Sequence, residues 1–150
     1  MFAAAIAHHL DSLGLVDYRP SAEGGDCFVE QLPSDPDSIV AVFGSGGAAQ
    51  PTRLAYDLPT FQIRTRGPRF DPLASASRQA AIYDALVCLD GAVLAAGTPH
   101  EIYVVGISPI QAARDNPVPL GLDTGQRPEH SLNYQATTRS VTTHRQGVLV

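Results

Sequence analysis

The chain has 150 residues, 44% of them hydrophobic and 17% charged, with a formal net charge of −5. That length fits one domain around one core, and the apolar share excludes disorder along the whole chain. The acidic balance argues against phosphate-backbone binding as the main task, because that affinity comes from Lys and Arg displacing counterions, and the chain contains no Lys.

The charged share lies below the usual quarter or so, so part of the surface is expected to be hidden in contacts. Cys27 and Cys88 stand far apart and form no CxxC pair; both are expected to be reduced, buried small hydrophobes. The first residues, MFAAAIAHHLDSLG, carry an apolar run without a basic start, broken by His8, His9 and Asp11, and do not read as a signal peptide. No stretch approaches the roughly 18–20 apolar residues of a membrane span. A soluble protein made in the cytoplasm is expected.

Phe2, Ile6, Leu10 and Leu13 recur at helical spacing, and Gly14 stops that helix. Pro20 and Gly24-Gly25 mark a loop. Cys27 to Leu32 and Ser38 to Phe43 read as two short strands joined by the turn Pro33-Ser-Asp-Pro36-Asp. Gly44 to Pro51 (GSGGAAQP) reads as a flexible loop that runs on to about Asp57. Leu58 to Arg66 alternates, placing Phe61, Ile63 and Thr65 on one face and Gln62, Arg64 and Arg66 on a wet, basic one.

Asp71 suits a helix N-cap and Pro72 the first helical position. The helix is expected to reach about Leu89 with Ile82, Ala85, Leu86 and Leu89 as its apolar stripe and Arg78, Gln79 and Asp84 off it. His100 to Ser108 reads as a fourth strand. Residues 109–128 read as a long connection of the kind that carries a contact or function. Glu129 to Thr138 reads as a fifth strand with His130, Leu132, Tyr134 and Ala136 on one face. From about Val141 a loose tail is expected, leaving a domain over residues 1–140 and a tail over 141–150. The order α-β-β-β-α-β-β predicts a single-domain α+β fold, an antiparallel or mixed sheet with helices on one face.

Little in this pattern points to chemistry. Gly44-Ser-Gly-Gly lacks the Lys and the following helix of a phosphate cradle. Ser45 is preceded by Phe43 where a nucleophile elbow has Gly. His8 and His9 point about 100° apart on a helix, and His100 and Glu101 point to opposite faces of a strand, so neither pair makes a metal site. His130, on an apolar face, reads as a satisfied core or interface histidine. Asp35 with Asp37, and Asp123 with Glu129, read as turn carboxylates. No catalytic, cofactor or metal residue is assigned. Arg64, Arg66 and Arg69 are the charges of most interest, either a solvated sheet face or a basic row at an interface or lumen, where the planar guanidinium bonds carboxylates and carbonyls well.

Three ordered stretches carry a resemblance: Leu58-Pro-Thr-Phe-Gln-Ile-Arg-Thr-Arg-Gly67; the helix with Ile82-Tyr83-Asp84-Ala85-Leu86; and Leu120-Gly-Leu-Asp123-Thr-Gly-Gln-Arg127-Pro-Glu-His-Ser-Leu-Asn-Tyr134. Together they resemble the tail terminator (minor capsid) family of long-tailed bacteriophages. The resemblance implies a virion protein without enzymatic activity or cofactor. It implies a homo-oligomeric ring, usually a hexamer, that caps the tail tube protein, ends tail growth and meets the head–neck connector protein. DNA would pass through the lumen without sequence-specific binding. It also implies that Asp123 and Arg127, with Arg64, Arg66 and Arg69, are candidate interface residues. Alternatives are another head–tail connector or neck subunit, a small enzyme or ligand-binding domain with a pocket between helix 71–89 and the sheet, and a nucleic-acid-binding module using the three arginines.

Overall fold

A computed structural model describes residues 1–49, 55–142 and 145. Alternating strands and two amphipathic helices can bury their apolar sides only against one another. The solution is a seven-stranded sheet with both helices on one face. In chain order the elements are α1 (Phe2–Ser12), β1 (Cys27–Val29), β2 (Ile39–Ala49), β3 (Tyr56–Arg66), α2 (Pro72–Val87), β4 (Asp90–Leu94), β5 (Ile102–Pro109), β6 (Val118–Leu122) and β7 (Pro128–Arg139). The sheet runs β1-β2-β3-β7-β5-β4, with β6 paired to β7. β1 lies parallel to β2 and every other pairing is antiparallel, so the sheet is mixed.

The core lies between the helices and the inward faces of the strands. Ala3, Ala5, Ile6, Ala7 and Leu10 of α1 and Ile82 and Leu86 of α2 meet Val40, Val42, Phe61, Ile63, Val104, Leu132, Tyr134 and Ala136. The small α1 residues let its backbone approach β2 closely. Phe61 stacks on Tyr134 at 5.2 Å between ring centroids and takes the edge of Phe2 at 5.5 Å. The opposite face carries Gln62, Arg64 and Arg66 of β3 beside Asn133, Ser131 and Glu129 of β7, set pairwise opposite one another by the β3–β7 register.

The structure departs from the sequence-based expectation in several places. β2 continues through the glycine-rich stretch, because its register shifts between Gly44 and Gly47 and pairing resumes at Gly47 with Pro59. A Cβ at Gly47, where φ is +134°, would sit 2.2 Å from the Leu58 carbonyl oxygen, so only glycine fits. The part of the expected loop at 50–54 lies outside the described residues. β4 takes Asp90–Leu94 as an edge strand, and α2 ends at Val87 instead of reaching Leu89. β6 forms inside the expected 109–128 connection; Pro119 and Gly121 are tolerated because β6 is an edge strand bulged between those two residues. β1 is shorter than expected. Gln79 is fully buried, since the inward stripe of α2 is Ser75, Gln79, Ile82 and Leu86. Leu13 and Cys88 are exposed, whereas Cys27 is buried as expected. Most of the expected tail, residues 143, 144 and 146–150, lies outside the described residues. Arg145 pairs with Asp57 at 2.7 Å.

Candidate functional site

β3, the turn at 34–37 and the β6–β7 turn meet at one corner of the helix-free face. The alternation of β3 puts Arg64 and Arg66 there, as predicted. The β3–β7 pairing sets Glu129 opposite Arg66, and the β6–β7 turn then carries Asp123 and Arg127 over the same corner. The Arg66 side chain is only 3% exposed. Its Nε donates to the Asp37 carbonyl at 3.1 Å and its Nη2 to the Pro36 carbonyl at 2.7 Å. Its Nη1 lies 3.9 Å from Asp123 Oδ2. Arg127 grips Asp123 Oδ2 through Nε at 2.9 Å and Nη2 at 2.8 Å, and reaches the Ser34 carbonyl at 2.6 Å and Asp37 Oδ1 at 3.1 Å. Asp123 Oδ1 accepts from the backbone N–H groups of Gly125 and Arg127, which closes the turn. Arg64 lies 3.6 Å from Glu129 and its Cζ sits 5.8 Å from the Phe43 ring centroid.

The electrostatics follow from this packing. Burial, and after it the neighbouring Arg127 charge, pulls Arg66 below the ordinary guanidinium value, against the pull of Asp123, Glu129 and Asp37. The backbone N–H of Arg127, then its side chain, holds Asp123 below the usual carboxylate range. Hydrogen bonding to Asp123 raises Arg127. Two guanidiniums are thus held side by side by carboxylates and carbonyls of two separate segments, the 34–37 turn and the β6–β7 turn. Four of the five candidate residues, Arg64, Arg66, Asp123 and Arg127, come together in this way.

Arg69 stands apart, on the β3–α2 connection. It is exposed and has no carboxylate partner among the described residues; its Cζ lies 5.2 Å over the ring of Phe70. Phe70 is 86% exposed and Leu73 74%. Residue-pattern reasoning passed over both. The Asp71-Pro72 helix start did place Phe70 just before the N-cap, and Asp71 does cap, accepting from Ala74 N–H at 3.2 Å.

On the core side, His130 Nδ1 meets Ser75 Oγ at 2.9 Å, and Ser75 Oγ meets Thr65 Oγ1 at 2.8 Å. Gln79 donates to the Ile63 and His130 carbonyls at 2.8 and 3.2 Å. The network docks α2 on β3 and β7, which makes His130 a satisfied core histidine. Burial lowers both His130 and His9 below the usual imidazole value. Groups lowered in the folded state take up protons preferentially when unfolded. Their stabilisation is complete above the unfolded value of about 6.5 and drains away as pH falls from there toward the folded values. The melting temperature is therefore expected to be lower at about pH 5.5 than at about pH 7.5, and less so in His130→Gln. A melting temperature that stays flat or rises as pH falls from about 7.5 to about 5.5, by differential scanning fluorimetry, would contradict this.

Among the described residues no cluster gathers reactive groups around a substrate-sized space. Ser45 Oγ meets Thr60 Oγ1 at 2.9 Å, not a histidine. Burial pushes the Cys27 thiol up to about 12, far from a nucleophile's range. A surface hollow of about 420 Å³ is lined by Ala76, Ala80 and Ala81 of α2 and by the Asp84–Arg114 ion pair. A groove of about 580 Å³ runs outside β1 between Pro20 and Pro36. Among the described residues no three His, Cys, Asp or Glu side chains are grouped to hold a metal ion, and no helix is long and apolar enough to cross a membrane.

Such a molecule, with ionic groups bracing turns and apolar side chains left at the surface, has the make-up of an assembly subunit. The family described as bacteriophage tail terminator protein matches residues 9–139, and the chain belongs to it. It is thus a structural protein of a phage tail, a virion component that assembles with other virion proteins. A chain in a solved structure described as the virion of a native gene transfer agent (GTA) particle shares the fold, with a TM-score of 0.62 at 19% identity, over 92% of this chain and 94% of that one. No curated protein matches the chain.

Proposed function

We propose that the protein closes into a homo-oligomeric ring, a hexamer, that caps the phage tail tube, ends its growth and joins the tail to the head–neck connector. The observation that carries this reading is the family match, which spans all seven strands and α2 and so takes in the whole sheet. A ring follows when a heterologous contact repeats around a closed rotation, and its two faces then meet different partners. The structural neighbour comes from a structure described as the virion of a gene transfer agent particle, which agrees with a place in a virion. Synthesis belongs to the bacterial cytoplasm, and DNA passes through the lumen without being read. Of the five candidate residues, Arg69 makes contacts directly, while Arg64, Arg66, Asp123 and Arg127 act by fixing the turns that shape the surface.

The test mixes purified protein with growing tail tubes and follows tube length and end structure by negative-stain electron microscopy, with light scattering for the free protein. Rings at one end of each tube and arrested elongation are the expected result. Protein that leaves tube ends bare and elongation unchanged would overturn the reading. Binding to a connector without any effect on tubes would make it a neck subunit instead.

A further inference from the structure

We infer that copies of this protein join through a knob made by Arg69, Phe70 and Leu73 of one subunit, seated in the groove outside β1 of the next. This rests on the ring reading above and names the contact that builds it.

The knob is poorly explained by the subunit's own needs. A hydrophobic residue just before a helix N-cap ordinarily packs on the fourth helical residue. Here that position is Ser75, already buried and bonded to Thr65 and His130. Phe70 therefore has no staple partner and is 86% exposed. Its φ is +65°, a left-handed conformation that costs a bulky side chain strain. Leu73 lies beside it, 74% exposed, and α2 buries neither. An exposed aromatic ring with a guanidinium over it and an aliphatic neighbour has the composition of an interface anchor.

The groove answers it in shape class and in charge. Pro20, Ala22, Phe28 and Pro36 give it an apolar lining, and Glu23, Asp35 and Arg19 line it as well; the Arg19 charge is already held by Asp17 at 2.9 Å, and the volume is about 580 Å³. Neither Glu23 nor Asp35 has an ion-pair partner among the described residues, and neither does Arg69, whereas Arg64, Arg66, Arg78, Arg114 and Arg127 are all paired within the subunit. A guanidinium left over on one patch and two carboxylates left over on another are complementary across copies. Knob and groove are different patches, the first on the β3–α2 connection and the second outside β1, so each copy offers one and accepts the other. That is a head-to-tail contact, the kind that closes a ring.

Cysteine cross-linking tests this on the full chain carrying Cys88→Ser, because Cys88 is exposed while Cys27 is buried. Leu73→Cys and Ala22→Cys are made as separate proteins, assembled together on tail tubes and oxidised with oxidised glutathione. A disulfide-linked pair is expected from the mixture and not from either protein alone; both changes on one chain should give a ladder of linked subunits. Phe70→Ser and Arg69→Glu, at exposed positions, should keep the melting temperature and raise the concentration needed for assembly at least tenfold. Joining Arg69→Glu with Glu23→Arg and Asp35→Arg should restore assembly. If rings form without the cross-link and Phe70→Ser assembles normally, the contact is wrong while the ring reading stands. If Phe70→Ser makes rings that no longer hold tubes, the knob faces the tube and the inference falls. If the unsubstituted protein neither forms rings nor caps tubes, the functional reading fails first and takes this contact with it.

Discussion

Phe61→Ala is expected to lower the unfolding free energy by about 3–5 kcal/mol. Phe61 is fully buried in the middle of β3. Its ring lies nearly parallel to that of Tyr134 on the adjacent strand, at an interplanar angle of 15°, and receives the edge of Phe2 from α1 at 72°. One side chain thus ties β3, β7 and the N-terminal helix. Removing it forfeits the transfer free energy of the ring and leaves a cavity that strands fixed by backbone pairing cannot close. Tyr134 also loses its stacking partner, a contribution of about 0.5–1.5 kcal/mol beyond area. The change should shift the midpoint of chemical denaturation without altering the slope, because the surface exposed on unfolding hardly changes. A loss below about 1 kcal/mol would mean that α1 collapses onto the sheet and that the core is less firmly built than its packing indicates.

Period-two alternation made β3 and β7 legible, and the 3.6-residue period with Asp71-Pro72 made the start of α2 legible. Both signals report a face buried on one side only, which is how these elements sit. The elements that escaped are those whose existence depends on a neighbour. β4 and β6 are short edge strands, and β6 carries Pro119 and Gly121, residues that disfavour a strand unless one side needs no donor. The far half of β2 reads as loop because Gly44, Gly46 and Gly47 have no side chains to alternate; it is a strand because β3 extends beside it. Gln79 read as lying off the apolar stripe of α2, yet the β3 and β7 carbonyls it bridges lie inside the fold. The site divides in the same way. That Arg64 and Arg66 share a face follows from strand geometry. That both are engaged within the subunit follows only from strand order, which brings the β6–β7 turn over them. Phe70 was placed before its helix by sequence, but its exposure depends on Ser75 being committed elsewhere.

Arg66→Ala is expected to cost about 3 kcal/mol. The guanidinium is buried and its two donors hold the carbonyls of Pro36 and Asp37, so truncation strands those acceptors at the end of the 34–37 turn. Its aliphatic stem lies on the face that carries buried Ile39 and Ala41, the first of which pairs with Arg66 itself, so packing is lost as well. Arg66→Met separates the two contributions. Methionine keeps the stem's volume, and Asp123 remains held by Arg127 and by the turn's own N–H groups. It also removes one of two adjacent like charges. A buried charge replaced by an apolar group of similar size is often tolerated, so Arg66→Met should cost about 1 kcal/mol. Because the network is sheltered, the loss in either variant relative to the unsubstituted protein should persist at high salt, where exposed ion pairs are screened. Equal losses for alanine and methionine would show that the charge-assisted bonds to the 34–37 turn, not packing, are what this corner requires, and a loss abolished by salt would show that the corner opens to solvent.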